Sequence, residues 1–360
     1  MNHGSWKTQP HRSGLTRAEV VVVIGLIALL CAVFMPGLDQ RKRAVPKMDC
    51  MNNLRQVGIA HLNFTSSNNA RFGSFQEDVE IENEAGQRGN MATPWPIQLL
   101  PLLDESALLR DIRMSAVATP GHDNGLIMTL AETEKIALQV FTCRADGNTF
   151  RKPGGLSYVV NAGFMPRTLY HGDPNGLHRI GQISWDGNDI PGEEEDCRVS
   201  AATGVFWRKD NSYQLSLDEI VQADGMSQTI LLVENLQAGM WYDTDTAKIA
   251  FGLPIETKNN QVLFGAGSFP ESVASPLNTV FPQGSLATAT PSDWRINADL
   301  KAKKGTRPRP SSLHKGGVNV MFADGSCRFL NEKIDPHVYV QLMTPAGSRY
   351  GEHKPVESSY

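Results

Sequence analysis

The sequence lacks the signatures of several common classes of protein. It has five cysteines, but no Cys-x-x-Cys pair and no Cys/His cluster at the spacing of a zinc site. A Gly-x-Ser-x-Gly motif and a phosphate-binding glycine loop are also missing. The net charge of −4 leaves no basic excess that could hold nucleic acid. We therefore expect no cofactor, no metal and no nucleic-acid partner.

Glycine and proline, in contrast, are plentiful. The 360 residues include 32 Gly and 21 Pro, with 41% hydrophobic and 20% charged residues. This composition is typical of a globular chain with many turns and short elements, and it favours strands over a helical bundle. We expect an α+β body.

Residues 20–35 form an apolar run without a charge. As a helix, this run would be about 24 Å long, slightly shorter than the hydrocarbon core of a bilayer. Its length alone fits a membrane anchor, a buried core helix or a secretory signal peptide. The flank argues against a signal peptide, because the run leads to Gln40 and three basic residues without a small-residue cleavage site.

The residues before the run carry a second signal. Residues 14–19 read Gly-Leu-Thr-Arg-Ala-Glu and follow a short leader with Lys7 and Arg12. A carboxylate at the edge of a membrane helix is costly, which makes Glu19 a functional candidate. Alternatively, Glu19 is simply an acid that favours the first turn of a helix. The stretch resembles the class III signal of type IV prepilins and pseudopilins.

This resemblance implies a specific maturation. A prepilin peptidase would cut between Gly14 and Leu15 and methylate the new amino terminus at Leu15. Glu19 matches the characteristic acid of the family, which can pair with the amino terminus of a neighbouring subunit and so guide assembly. Pro36 matches a helix-kinking proline of pilins.

On this interpretation the chain has four parts. Residues 1–14 are a leader, residues 15–67 a transmembrane and amphipathic helix, residues 68–350 an exported domain and residues 351–360 a tail. The resemblance implies an α+β fold, in which a long hydrophobic N-terminal helix packs, as in pilins, on a mainly antiparallel β-sheet body. It also implies a single pass through the inner membrane, with the body exported to the periplasm or the cell surface. The amphipathic part predicts one apolar stripe, made of Met48, Met51, Leu54, Gly58 and Leu62.

The strongest local pattern lies near the C-terminus. Residues 318–330 alternate around Asp324 and Gly325, which predicts a β-hairpin with a two-residue turn at positive φ. Asp335 and Pro336 then predict the N-cap and the first turn of a short helix that ends near residue 343. Nine residues separate His314 from Asp324. This region resembles a prepilin-type H-x9-DG domain of unknown function.

We expect a structural role for the H-x9-DG motif. Asp324 and Gly325 are natural turn formers, and His314 is expected to be held by the backbone of the hairpin. Metal or sugar binding is the alternative. If the role is structural, valine at Gly325 should cost more stability than alanine at His314, because β-branched residues tolerate positive φ poorly.

An exported body would face an oxidising compartment, so we expect at least one disulfide. Four cysteines lie outside the apolar run and permit three pairings: Cys50, Cys143, Cys197 and Cys327. Cys50 and Cys143 lie in segments that resemble those of the family, and the resemblance favours a bond between these two.

The favoured function is that of a membrane-anchored pilin-like or pseudopilin-like structural or assembly protein. Its expected partners are a prepilin peptidase, the inner membrane and like or related subunits. The alternative is an exported module that binds carbohydrate or another polymer through exposed tryptophans, namely Trp185, Trp207, Trp241 or Trp294. An enzyme that uses His314 with Asp146, Glu234 or Asp324 is least favoured, because no nucleophile motif accompanies these residues.

Overall fold

The computed structural model describes residues 17–118, 125–127, 135–170, 178–185, 192–209, 213–255, 257–258, 261–262, 295–350, 352 and 354–355. The chain divides into two units, Met1–Pro46 and Lys47–Tyr360. The predicted processing site, Gly14 and Leu15, lies outside the described residues.

Helix α1 (Arg17–Ser67) is the first element, and the division between the two units falls within it. Glu19 lies in the first turn of α1, where a carboxylate complements the helix dipole. The apolar side chains that follow are exposed as far as they are described, from 41% at Val20 to 68% at Val21. The first unit thus presents an apolar helix surface.

The predicted membrane helix is not found. In the part of the chain that the structure describes, no helix is both long enough and apolar enough to span a bilayer. The predictions of a long hydrophobic pilin-like helix and of a single pass through the inner membrane are therefore wrong. The apolar run at residues 20–35 has 16 residues, fewer than the roughly 20 that a spanning helix needs.

The second unit is an α+β body. Its strands are β1 (Gln76–Glu82), β2 (Arg88–Pro94), β3 (Val117–Ala118), β4 (Gly125–Ile127), β5 (Tyr158–Pro166), β6 (Ile230–Glu234), β7 (Ala250–Ile255), β8 (Thr257–Lys258), β9 (Gln261–Val262), β10 (Gly317–Phe322) and β11 (Cys327–Asn331). They form a five-stranded sheet in the order β11-β10-β6-β5-β7, a four-stranded sheet in the order β1-β2-β4-β3, and the β8-β9 ribbon. Most neighbours are antiparallel, and the β5-β7 and β2-β4 pairs are parallel.

Short helices connect and cover these strands. They are α2 (Trp95–Gln98), α3 (Ser106–Met114), α4 (Arg167–Tyr170), α5 (Glu194–Thr203), α6 (Leu217–Gln222), α7 (Thr246–Ile249) and α8 (Pro336–Met343). Ser216 and Glu219 form a capping box at the start of α6. The Asp335 carboxylate caps α8, and Pro336 occupies its first turn, which confirms the predicted C-terminal helix.

The five-stranded sheet forms the centre of the body. Every residue of β5, β6, β7 and β10 is buried, whereas most of the edge strand β11 is partly exposed. Strands that are buried at consecutive positions must be covered on both faces. The central strands therefore offer a site that is shielded from water.

The C-terminal part of α1 packs within this body. Gly58 faces Met321 of β10 so closely that a Cβ at Gly58 would lie 1.6 Å from the Met321 sulfur. The predicted apolar stripe is only partly correct, because Met48 is 66% exposed. The buried positions that follow a helical spacing are Cys50, Leu54, Val57, Gly58 and His61.

The C-terminal hairpin joins β10 to β11, but its turn differs from the two-residue turn that we predicted. The Gly325 N–H donates to the Phe322 carbonyl at 3.0 Å, and the Phe322 N–H donates to the Ser326 carbonyl at 2.9 Å. The turn therefore has three residues. Gly325 has a φ of 84°, and Asp324 is not among the described residues with positive φ. This is the known combination of a type I turn followed by a left-handed glycine.

Candidate functional site

Strand β10 separates the two halves of the H-x9-DG motif. His314 precedes the strand, while Asp324 and Gly325 follow it. The strand has six residues, which extend over about 20 Å at ~3.3 Å per residue. The spacing of the motif therefore corresponds to one central strand with its flanking turns, and the two halves do not form a single site.

His314 is buried beside the end of the neighbouring strand β6. Its Nε2 atom lies 3.2 Å from Glu234 Oε1 and 3.4 Å from Cys143 Sγ. Its backbone N–H donates to Ser312 Oγ at 3.0 Å. The expectation that the backbone of the hairpin holds this histidine is wrong, because its ring contacts side chains from other elements of the body.

Glu234 is the last residue of β6 and is 1% exposed. Its Oε2 accepts the backbone N–H of Asn319 at 2.8 Å, and its Oε1 accepts the Asn319 Nδ2 at 3.0 Å. The antiparallel register sets Val233 opposite Val320, which brings Glu234 next to Asn319 of β10. A buried carboxylate needs such donors to offset its lost hydration.

Cys50 of α1 and Cys143 are joined by a disulfide, the pair that the resemblance favours. Cys143 lies just after a short 3-10 turn, Gln139–Phe141. The Asn53 side chain donates to the carbonyls of Gln139 at 3.1 Å and Thr142 at 3.0 Å, which ties this turn to α1. The Tyr158 hydroxyl of β5 donates to the Cys50 carbonyl at 2.9 Å. Helix, turn and sheet are thus fastened together around the disulfide.

These residues make up what we name the Cys-Glu-His cluster: Cys50, Cys143, Glu234 and His314. All four residues are buried, and their donor atoms lie within 4.8 Å of one another. Burial raises the pKa of Tyr158 well above its usual value, and the negative charge of Glu234 adds to this shift. Partial burial lowers the pKa of Lys47, while the attraction of Glu234 opposes that shift. The Glu234 carboxylate therefore acts on both neighbouring groups, although burial is the larger cause in each case.

The other acids that we considered as partners of His314 serve as turn formers. Asp146 accepts the Thr149 hydroxyl at 2.6 Å and the Asn148 N–H at 3.0 Å. Asp324 accepts the Ser326 N–H at 2.8 Å within the hairpin turn. Of the three acids, Glu234 is the one that the structure places against the histidine.

The tryptophans offer no exposed stacking surface where they are described. Trp185 and Trp241 are 0% exposed and Trp207 is 5% exposed. Each indole N–H is hydrogen-bonded within the body, for example from Trp185 to Ser200 Oγ at 2.8 Å. The prediction that they are exposed is wrong for these three, and Trp294 lies outside the described residues.

Sequence reasoning did not bring the cluster together. The sequence marks Cys50, Cys143 and His314 through separate signals, and it marks Glu234 only as a possible catalytic partner of His314. One signal was available, since a carboxylate that ends a wholly apolar strand must find buried donors. The spacing between these residues in the sequence carries no such information, because they come from four distant segments.

A family model described as a protein of unknown function (DUF1559) matches residues 43–337. The match includes the whole Cys-Glu-His cluster and the H-x9-DG motif, and it is consistent with the domain expected from that motif. It begins after residues 14–19 and therefore contains no prepilin cleavage motif. Searches of curated proteins and of solved structures returned no match. The chain belongs to this family of unknown function.

Proposed function

We propose that this chain is a pilin-like or pseudopilin-like structural protein, matured by a prepilin peptidase and assembled with like or related subunits through the first part of α1. The observation that carries the proposal is the exposure of apolar side chains there. Val21, Val22, Val23 and Ile24 are 68%, 60%, 49% and 60% exposed. Four consecutive residues point in all directions around a helix, so its whole circumference is apolar.

Such a helix is stabilised when its apolar surface is buried against a partner. Burial of a valine, leucine or isoleucine side chain contributes about 1.5–3 kcal/mol. An apolar surface of this kind marks an interaction site. A like helix from a second subunit has the matching shape and chemistry, because apolar positions recur along both and can interdigitate.

The charges at the start of α1 support the same partner. Cleavage after Gly14 would create an ammonium group at Leu15, four residues before Glu19. In a bundle of like helices, that ammonium group can pair with the Glu19 carboxylate of a neighbouring subunit. The pairing would set the axial offset between subunits, because an unpaired charge among apolar helices is costly.

The body is better suited to a structural than to a catalytic role. His314 and Glu234 are hydrogen-bonded to one another and enclosed beside a disulfide. A general base must reach a substrate proton directly or through one water. Two open grooves on the body are lined by other residues, one of them around Ile59 and Leu103 and the other around Ile296 and Ile334.

Mass spectrometry of the amino terminus tests the maturation step. When the full chain is coexpressed with a prepilin peptidase, we expect it to begin at an N-methylated Leu15. Gly14→Val should keep the original terminus, whereas the control Gly25→Ala should be processed like the parent, because nothing lies within 4 Å of a Cβ there. An intact Met1 on the parent chain would contradict the proposal.

Light scattering of the processed chain tests the assembly step. Ile24→Asp places a charge on the apolar helix and should abolish association. Val221→Asp is the matched control, since Val221 is a comparable apolar side chain on the body, 56% exposed against 60% for Ile24. A monomeric parent chain, or an Ile24→Asp variant that associates as the parent does, would refute assembly through α1.

A further inference from the structure

We propose that the Cys-Glu-His cluster is a zinc site that becomes available when the disulfide between Cys50 and Cys143 is reduced. The disulfide and the metal then exclude one another, because both use the same two sulfur atoms. This proposal concerns the body alone and is independent of assembly through α1.

The donor set suits zinc. Two thiolates, an imidazole nitrogen and a carboxylate oxygen are all established zinc ligands, and sulfur ligands disfavour magnesium and calcium. Tetrahedral coordination at bond lengths of ~2.0–2.3 Å places neighbouring donor atoms roughly 3.2–3.8 Å apart. His314 Nε2 already lies 3.4 Å from Cys143 Sγ and 3.2 Å from Glu234 Oε1. The two sulfur atoms need to separate, and all four donor atoms already lie within 4.8 Å of one another.

The polar residues around the two sulfur atoms are typical of a metal site and are not needed by a disulfide. A disulfide requires no polar neighbour, and burying an imidazole and a carboxylate beside it carries a desolvation cost. Asn319 holds Glu234 through two hydrogen bonds, of 2.8 and 3.0 Å, and Ser312 holds the backbone of His314. Outer groups of this kind orient the ligands of metal sites.

The change from the disulfide to the zinc-bound state takes two steps. A dithiol reductant supplies two electrons and two protons, so that the S–S bond breaks, two thiols form and the reductant becomes a disulfide. Zinc then displaces the two thiol protons and binds two thiolates. In both states the sulfur of α1 remains linked to the sulfur of the Cys143 turn, first directly and then through the metal. The body therefore keeps one connection at this point in either redox state.

Metal titration of the full chain tests the proposal. The chain is reduced with a phosphine, which does not compete for metal, and titrated with Co²⁺ and then Zn²⁺ without oxygen. We expect one Co²⁺ per chain with thiolate-to-cobalt charge-transfer absorption, displacement by one Zn²⁺, and no binding to the oxidised chain. His314→Ala and Cys50→Ala should each weaken binding by more than the ~10–100-fold that loss of an outer group costs. Cys197→Ala, the control, should bind as the parent does.

Each possible result decides the matter. If the reduced chain binds no Co²⁺, or if Cys50→Ala and His314→Ala bind it as tightly as Cys197→Ala, the cluster is not a metal site. If reduction unfolds the chain, one equivalent of Zn²⁺ should restore its melting transition. Failure of zinc to restore that transition in the parent chain would overturn the proposal as well.

Discussion

Replacing both Cys50 and Cys143 by alanine is expected to lower the free energy of unfolding of the body by about 4–5 kcal/mol. The two residues are 93 positions apart in the sequence. In the chain-entropy treatment, a cross-link that closes a loop of about this size is worth roughly 4.6 kcal/mol at 25 °C, because it restricts the unfolded chain. The entropy of unfolding is ~2.1 cal/mol/K per residue, so the same loss of stability lowers the melting temperature of a body of this size by roughly 7 °C.

The substitution also removes two buried sulfur atoms, so a control for packing is needed. Cys50 and Cys143 are 0% and 4% exposed, and Cys197, which lies outside the disulfide, is also 4% exposed. Cys197→Ala therefore reports the cost of losing one buried sulfur without loss of a cross-link. Each measurement is a guanidinium unfolding curve recorded with a metal chelator present, so that zinc cannot replace the cross-link.

The stability lost by the double variant, minus twice the stability lost by Cys197→Ala, isolates the cross-link. If the free energies of unfolding of the double variant and of Cys197→Ala differ by under about 1 kcal/mol, the entropic argument fails for this chain. Reduction of the parent chain in chelator should lower its stability by a similar amount as the double substitution. A reduced parent that is as stable as the oxidised parent would refute the reasoning as well.

Two further predictions concern other parts of the body. His314→Ala should cost about 2–3 kcal/mol, because alanine removes a partner of buried Glu234. Gly325→Val should cost about 1–2 kcal/mol, because a side chain is penalised by the positive φ, while a Cβ there meets only Leu62 Cδ1 within 4 Å, at 3.6 Å. This is the reverse of the order expected from the sequence. Denaturant unfolding ranks the two variants, and the opposite order would show that the histidine is dispensable. Burial raises the pKa of Glu352 from 4.5 to about 7. The protonated side chain therefore contributes roughly 3 kcal/mol to the free energy of unfolding below pH 4.5, and this contribution is lost as the pH rises through 7. Glu352→Gln should flatten this part of the pH profile of unfolding, and an unchanged slope would contradict the assignment.

Local signals in the sequence predicted several elements correctly. Asp335 and Pro336 predicted the start of α8, because a carboxylate cap and a first-turn proline act within one turn of the chain. The alternation around Asp324 and Gly325 predicted the hairpin of β10 and β11. In each case the information lies within a few neighbouring residues, so no knowledge of the tertiary structure is needed.

The buried face of α1 was harder to predict. Met48 is exposed, while His61 is buried between the rings of Trp95 and Phe206, at centroid distances of 5.1 and 4.9 Å. Burial lowers the pKa of His61 to about 3, so the ring is neutral at pH 7 and packs as an apolar group does. A polar residue at a core position cannot be recognised without knowing what packs against it.

The hairpin turn shows how a correct local signal can leave the detail open. Asp-Gly favours both the two-residue turn and the three-residue turn, since both place the glycine at positive φ. The last pair of the ladder, Met321 with Cys327, leaves enough residues for the longer turn. On the other side of β10, the register with β6 shifts between Met321 and Phe322. The turn length is therefore set by the sheet and not by the dipeptide.

The sequence predicted that the backbone of the hairpin holds His314, whereas the H-x9-DG spacing extends over the whole of strand β10. His314 and Gly325 lie at opposite ends of β10, so each has its own surroundings: the histidine has the Cys-Glu-His cluster and the glycine has the hairpin turn. The partner of the histidine, Glu234, belongs to the strand beside β10, and the pairing of Val233 with Val320 brings it there. A fixed separation along the chain keeps both ends of a central strand in register with its neighbour. The motif therefore constrains the geometry of the cluster without containing most of its residues.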